Sequence, residues 1–114
     1  MSAIYKLLDR AAWLAAERAA EFGGSPVDLA DGYIHFSTAA QVGETARRHF
    51  RGAADLMLLE LDPEALGASL TWEPSRGGDL FPHLYGSMPT SAVRRTWALA
   101  LDAEGVPVIG TLEP

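Results

Sequence analysis

Asp55-Leu56-Met57-Leu58-Leu59-Glu60-Leu61 is the most apolar run of the chain and reads as a central strand buried on both faces. What flanks it decides the fold class. Downstream, Asp62-Pro63-Glu64-Ala65-Leu66 is a turn or a single helical turn, with proline favourable near its start. Residues 69–73 then read as a strand broken by Pro74, with Trp72 assigned to the core. Ser75-Arg76-Gly77-Gly78-Asp79 has the composition of a loop, and residues 81–86 form a further extended stretch. After a turn at Pro89-Thr90-Ser91, apolar Val93, Trp97, Leu99 and Leu101 fall at period two. That is the pattern of a long strand over residues 92–101 with one buried face. A weak strand is expected around residues 106–109.

Upstream, residues 3–7 form a short β-prone run. Asp9 stands at the N-cap position of an alanine-rich helix over residues 10–22, whose apolar stripe is Trp13, Ala16, Ala20 and Leu14. Gly23-Gly24-Ser25-Pro26 ends that helix. Residues 32–37 read as the second strand, rich in Tyr33, Ile34 and Phe36. Ser37 or Thr38 then caps a second helix running through Gln41, Glu44 and Arg48 to about residue 51, with Gln41 as the N3 partner of a Thr38 cap. The order is β-α-β-α followed by strands, with no helices between the later strands to build a doubly wound sheet. The expected fold is α+β, with two N-terminal helices packed on a mainly antiparallel sheet. At 114 residues the chain is enough for one domain, 1–114.

The composition narrows the partners. The formal net charge is −6, and the basic residues cluster only at Arg47-Arg48-His49-Phe50-Arg51 and Arg94-Arg95, which read as solvated faces. A duplex nucleic acid is therefore not an expected partner, since phosphate contacts dominate that affinity. Cysteine is absent, which removes disulfides and thiolate nucleophiles. No apolar run approaches the roughly 20 residues of a membrane helix, and the first residues lack a secretory pattern. A cytoplasmic, membrane-free protein is expected.

Two tracts carry the chemistry: Tyr33-Ile34-His35-Phe36-Ser37-Thr38 and Phe81-Pro82-His83-Leu84-Tyr85-Gly86. Each sets a histidine, the side chain that titrates nearest neutrality, among apolar residues and close to hydroxyl groups. A strand histidine satisfied by its surroundings explains either tract alone, and helix capping alone explains Ser37 and Thr38. Together with Glu73 shortly before the second tract, the two also describe a polar pocket. A Ser37-His83-Asp79 triad is one arrangement, and a metal held by His35, His83 and Glu73 another, although no local ligand spacing supports a metal. A third is a nucleotide pocket. In it His35 points into a cleft and Ser37 and Thr38 present a helix start to phosphate. Arg76 clamps a second phosphate, Tyr85 stacks on a ring, and Glu73 and His83 serve as acid-base groups.

Ile4-Tyr5-Lys6-Leu7, Gly32-Tyr33-Ile34-His35-Phe36-Ser37-Thr38, Leu58-Leu59-Glu60-Leu61-Asp62, Trp72-Glu73-Pro74 and Phe81-Pro82-His83-Leu84-Tyr85-Gly86 stand in an order that resembles the bacterial family called domain of unknown function 952. The resemblance extends from Ile4 to about Leu101. It implies a fold similar to ADP-ribosyltransferases, a split sheet around a cleft that binds NAD. On that resemblance the second-strand position, which supplies a hydroxyl or aromatic group, falls on His35-Phe36-Ser37-Thr38. His35 would be a ribose or phosphate ligand, Ser37 and Thr38 would be hydroxyl and helix-end donors, and Glu73 or His83 would steer the acceptor. The resemblance also implies a ligand contact from the first strand. A histidine commonly follows Ile-Tyr in the family, whereas this chain has Lys6, a flexible ammonium without the planar donor of an imidazole. The expected function is thus that of a small ADP-ribosyltransferase-like enzyme acting on NAD or a related nucleotide. The alternatives are a non-catalytic module binding a nucleotide or phosphorylated metabolite, and a histidine-carboxylate metalloenzyme.

Overall fold

The computed structural model describes residues 2–112, without the side chain of Arg76. In chain order the elements are β1 (Ile4–Asp9), α1 (Arg10–Ala19), β2 (Glu21–Phe22), α2 (Pro26–Asp31), β3 (Ile34–His35), β4 (Ser37–Thr38) and α3 (Val42–His49), followed by β5 (Leu56–Leu61), β6 (Leu70–Pro74), β7 (Leu80–Leu84), β8 (Met88–Pro89) and β9 (Val93–Leu99). Short 3-10 turns lie at Pro63–Ser69, Arg76–Gly78 and Thr90–Ala92. The fold is α+β and every strand pair is antiparallel. The strands form a main sheet in the order β4-β1-β5-β9, a second sheet β3-β7-β6 and a ribbon β2-β8. No helix among the described residues is long and apolar enough to cross a membrane.

β5 is buried at every residue and lies between β1 and β9, as its unbroken apolar run requires. Strand alternation sends its side chains to two cores. Ile4, Leu8, Met57, Leu59 and Leu61 pack with Trp13 and Ala16 of α1 and with Phe22, Ile34, Leu84 and Met88. Tyr5, Leu7, Leu56 and Leu58 face the other way, onto Val42 and Ala46 of α3. The two longer helices therefore cover opposite faces of the main sheet.

Several expectations are corrected. The first helix stops at Ala19, because Ala20 turns left-handed (φ 67°) and Glu21–Phe22 pairs with Met88–Pro89. That pairing buries Phe22, a tertiary contact that overrides local helix propensity. Within the expected apolar stripe Trp13 and Ala16 are buried, while Leu14 and Ala20 are exposed. Asp9 holds the N-cap position, yet its side chain makes no cap hydrogen bond, and the Arg10 amide donates to the Asp55 carbonyl instead. The single strand expected over 32–37 divides at Phe36: Ile34–His35 joins the second sheet and Ser37–Thr38 the main one. Trp72 is 43 % exposed and lines a groove of about 550 Å³ with Thr38, Pro63 and Leu70, rather than the core. The weak strand near residues 106–109 reduces to one bridge, Leu101 to Pro107.

α2, not anticipated from the sequence, is set by local chemistry. Ser25 Oγ accepts from the Asp28 amide while Asp28 Oδ2 accepts from the Ser25 amide, a reciprocal capping box with Pro26 at the first helical position. Gly32, at φ 88°, ends the helix in a conformation that glycine adopts without steric cost.

Leu59→Ala, at the fully buried centre of β5, is expected to cost about 2–5 kcal/mol. Urea unfolding should show a lower midpoint with an unchanged m value.

Candidate functional site

The second sheet brings the two histidine tracts together. β3 pairs with β7 so that Ile34 faces Leu84 and His35 faces His83. Since alternate residues point to opposite faces, Ile34, Leu84 and Leu70 turn into the core, while His35, His83, Thr71 and Glu73 share the other face. The ring centroids of His35 and His83 lie 5.6 Å apart, edge to face. Tyr33 stacks on His83 at 4.0 Å and approaches His35 at 4.7 Å and Tyr85 at 5.3 Å.

Each imidazole is held at Nδ1 by a carboxylate. His83 Nδ1 lies 2.7 Å from Glu73 Oε1, and the Tyr85 hydroxyl donates to the same oxygen at 2.7 Å. Hydrogen bonds from His83 and then Tyr85 hold the Glu73 carboxyl below its ordinary range, while the bond to Glu73 raises the Tyr85 phenol. An ionised carboxylate only accepts, so His83 Nδ1 carries a proton, and in the neutral ring the lone pair lies on Nε2. No described residue partners Nε2. No buried side-chain nitrogen or oxygen lacks a partner among the described residues, so Nε2 reaches solvent although His83 is only 3 % exposed.

His35 differs. Its Nδ1 lies 2.6 Å from Asp28 Oδ1 and its Nε2 2.8 Å from Asp31 Oδ2, so both ring nitrogens face carboxylates contributed by α2. Asp28 is 2 % exposed and collects the His35 ring, the His35 amide, the Ser25 amide and the Lys6 ammonium, which donates to both of its oxygens at 3.1 and 2.9 Å. Burial alone would raise the Asp28 carboxyl. His35, Lys6 and the Ser25 amide together outweigh that and hold it well below the usual carboxylate range. Burial pulls the Lys6 ammonium below its ordinary range, and Asp28 opposes the shift. The pair is ionised, because a neutral Lys6 would leave the buried carboxylate without its counter-charge.

The expected site residues therefore divide. His35, His83, Glu73 and Tyr85 meet on one face. Lys6 is neither an exposed lysine nor a free ligand group: it is 6 % exposed and engaged by Asp28. Ser37 lies on the Tyr5 side of the main sheet, where its hydroxyl meets Thr45 Oγ1 at 3.0 Å. Thr38 Oγ1 accepts from the Gln41 amide and Gln41 Oε1 from the Thr38 amide, which occupies the Thr38 hydroxyl and amide. This reciprocal pair closes the turn before α3 and does not cap it: the helix starts at Val42 with Gln41 at its N-cap and no side-chain cap bond. The Arg76 side chain lies outside the described residues. Among the described residues no group of three or more histidine and carboxylate side chains has the placement to hold a metal ion. Asp28 and Asp31 were missed in the sequence. Their signal was the Ser25-Pro26-Val27-Asp28 capping pattern closed by Gly32.

The chain belongs to the family described as Protein of unknown function (DUF952), which it matches over residues 7–96. Among solved structures it is similar to protein CC0527 from Caulobacter crescentus. With the crystal structure of that protein it shares 53 % identity at a TM-score of 0.94, with 96 % of each chain covered. With the solution structure of the same protein it shares 54 % identity at a TM-score of 0.86, covering 96 % of this chain and 95 % of that one. No curated protein matches the chain. Neither the family description nor the neighbours' names state an activity or a ligand.

The depressed Asp28 carboxyl sets an acid-stability test. Its folded value lies below that of an unfolded aspartate, roughly 4, so between the two the unfolded chain binds the extra proton. The stabilisation is complete above that value and is lost as pH falls below it. Thermal melts from pH 6 downward should show a steep acid limb, which Asp28→Asn flattens.

Proposed function

We propose that the face formed by Tyr33, His35, Glu73, His83 and Tyr85 is a ligand-binding acid-base site that takes NAD or a related nucleotide and cleaves its ribosyl bond. The observation that carries the reading is the His83–Glu73 pair, in which a carboxylate fixes the imidazole tautomer and leaves Nε2 open beside two tyrosine rings. The exposed Tyr85 ring offers flat apolar surface to a planar ring, and aromatic faces attract a cationic one such as a pyridinium. A ligand hydroxyl reaches His35 Nε2 by displacing Asp31, which is solvent-exposed.

In the proposed step the ribosyl C–N bond breaks with its electron pair passing to the pyridinium nitrogen, releasing neutral nicotinamide. An acceptor hydroxyl or water oxygen bonds to the ribosyl carbon and its proton passes to His83 Nε2. The ionised Glu73 stands near the positive charge that develops on the sugar. Lys6 favours a second reading, a binding module without turnover. The first-strand position that the family resemblance gives to a ligand contact is here turned inward and neutralised.

Incubation with millimolar NAD is expected to raise the melting temperature and release nicotinamide, quantified by chromatography. His83→Asn should lower the release rate by about 100-fold or more, the range lost with a general acid-base group, while ligand-induced stabilisation persists. Stabilisation without release would establish the binding module. Absence of both would remove the nucleotide reading.

A further inference from the structure

We propose that Lys6 and Asp28 form a positioning pair for His35, in which Lys6 touches no ligand and acts on the imidazole only through the Asp28 carboxylate. The inference rests on the reading of His35 as part of the functional face, and it concerns residues for which that reading has no direct use.

Three observations carry it. First, Lys6 occupies the inward face of β1 between Ile4 and Leu8, both core residues, where the ammonium is buried. A buried ion pair is at best a weak source of stability, and an apolar pair of similar volume is often neutral or better. Packing alone therefore gives no reason for charges here. Second, α2 buries a single residue, Asp28, while Val27 and Leu29 on the same helix stand exposed. The helix brings no apolar surface to the core. What it delivers is a carboxylate. Gly24 lets it approach: at φ 120°, a Cβ there would stand 3.1 Å from Asp28 Cβ. Third, the carboxylate grips His35 twice, at the ring Nδ1 and at the backbone amide, so ring and strand are fixed together. His83 has no such support, since its Glu73 is partly exposed and shares its oxygen with Tyr85.

Lys6 then sets what His35 meets. With the ammonium in place, the ring faces a carboxylate whose charge is balanced from behind. Without it, the ring faces a bare buried anion. The outer nitrogen, Nε2, is left to the exposed Asp31 and so to any ligand that replaces it. The first-strand cation thus reaches the functional face at one remove.

The test reads the ring-nitrogen NMR signals of His35 in the ligand-free protein at pH 7, with His83 and His49 as internal references. Lys6→Met, which removes no atom touching the imidazole, should shift the His35 ring signals and leave those of His83 in place. Adding Asp28→Asn restores neutrality and keeps an acceptor for Nδ1, so the double variant should return the His35 signals toward those of the native protein. Native-like His35 signals in a folded Lys6→Met protein would overturn the proposal, because a merely structural pair lowers stability without reaching the ring. Where Lys6→Met does not fold, the double variant decides. There Asp28→Leu replaces Asp28→Asn, which leaves Nδ1 without its acceptor: His35 ring signals displaced from the native ones support positioning, and native-like signals in that folded apolar pair overturn it. No nucleotide enters the experiment, so its outcome stands apart from nicotinamide release.

Discussion

A lysine ammonium buried between two aliphatic side chains of a sheet has nowhere to place its charge except on another buried group. Lys6 meets Asp28, and most of what is particular to this protein follows from that contact. Asp28 is held by a six-residue helix, and the helix is held by its capping box and its terminal glycine. The same carboxylate reaches His35 and so ties the first strand, the short helix and the second sheet into one unit. Breaking either half leaves an unpaired buried charge, a change that typically costs about 3–5 kcal/mol.

The second sheet sets both histidine tracts beside this unit. Its strands are short, but strict alternation sends Ile34, Leu84 and Leu70 inward and leaves both histidines on the same side. Carboxylates then give the two imidazoles different roles: His35 is engaged on both nitrogens, whereas His83 keeps one open. Structural neighbours at about half identity share the whole fold but carry no stated activity, so the chemistry of this face is the available guide to function.

The legibility of fold and site varied with how local each cause was. The central strand, the sheet-dominated second half and the Thr38–Gln41 pairing were readable, because each depends on neighbours within a few residues, whereas α3 starts with Gln41, not Thr38, at its N-cap. Helix α2 was readable in principle from Ser25, Pro26, Asp28 and Gly32 but was taken for a simple terminator. Trp72 was misplaced because an apolar residue in a strand does not reveal whether its strand lies at an edge. Lys6 was placed at a ligand contact for a different reason: its counter-charge, Asp28, lies 22 residues away and nothing local shows it.

By itself the amino-acid sequence determined the α+β class, the burial of residues 56–61 on both faces and the presence of two histidine tracts with hydroxyl neighbours, since period and composition act along the chain. Tertiary structure alone decided that Phe36 divides one apparent strand between two sheets, and that the β3–β7 register sets His35 directly opposite His83. It also decided that Lys6 serves Asp28 instead of solvent. Each of these depends on pairing between segments far apart in the chain, and register and counter-charge exist only once those segments meet.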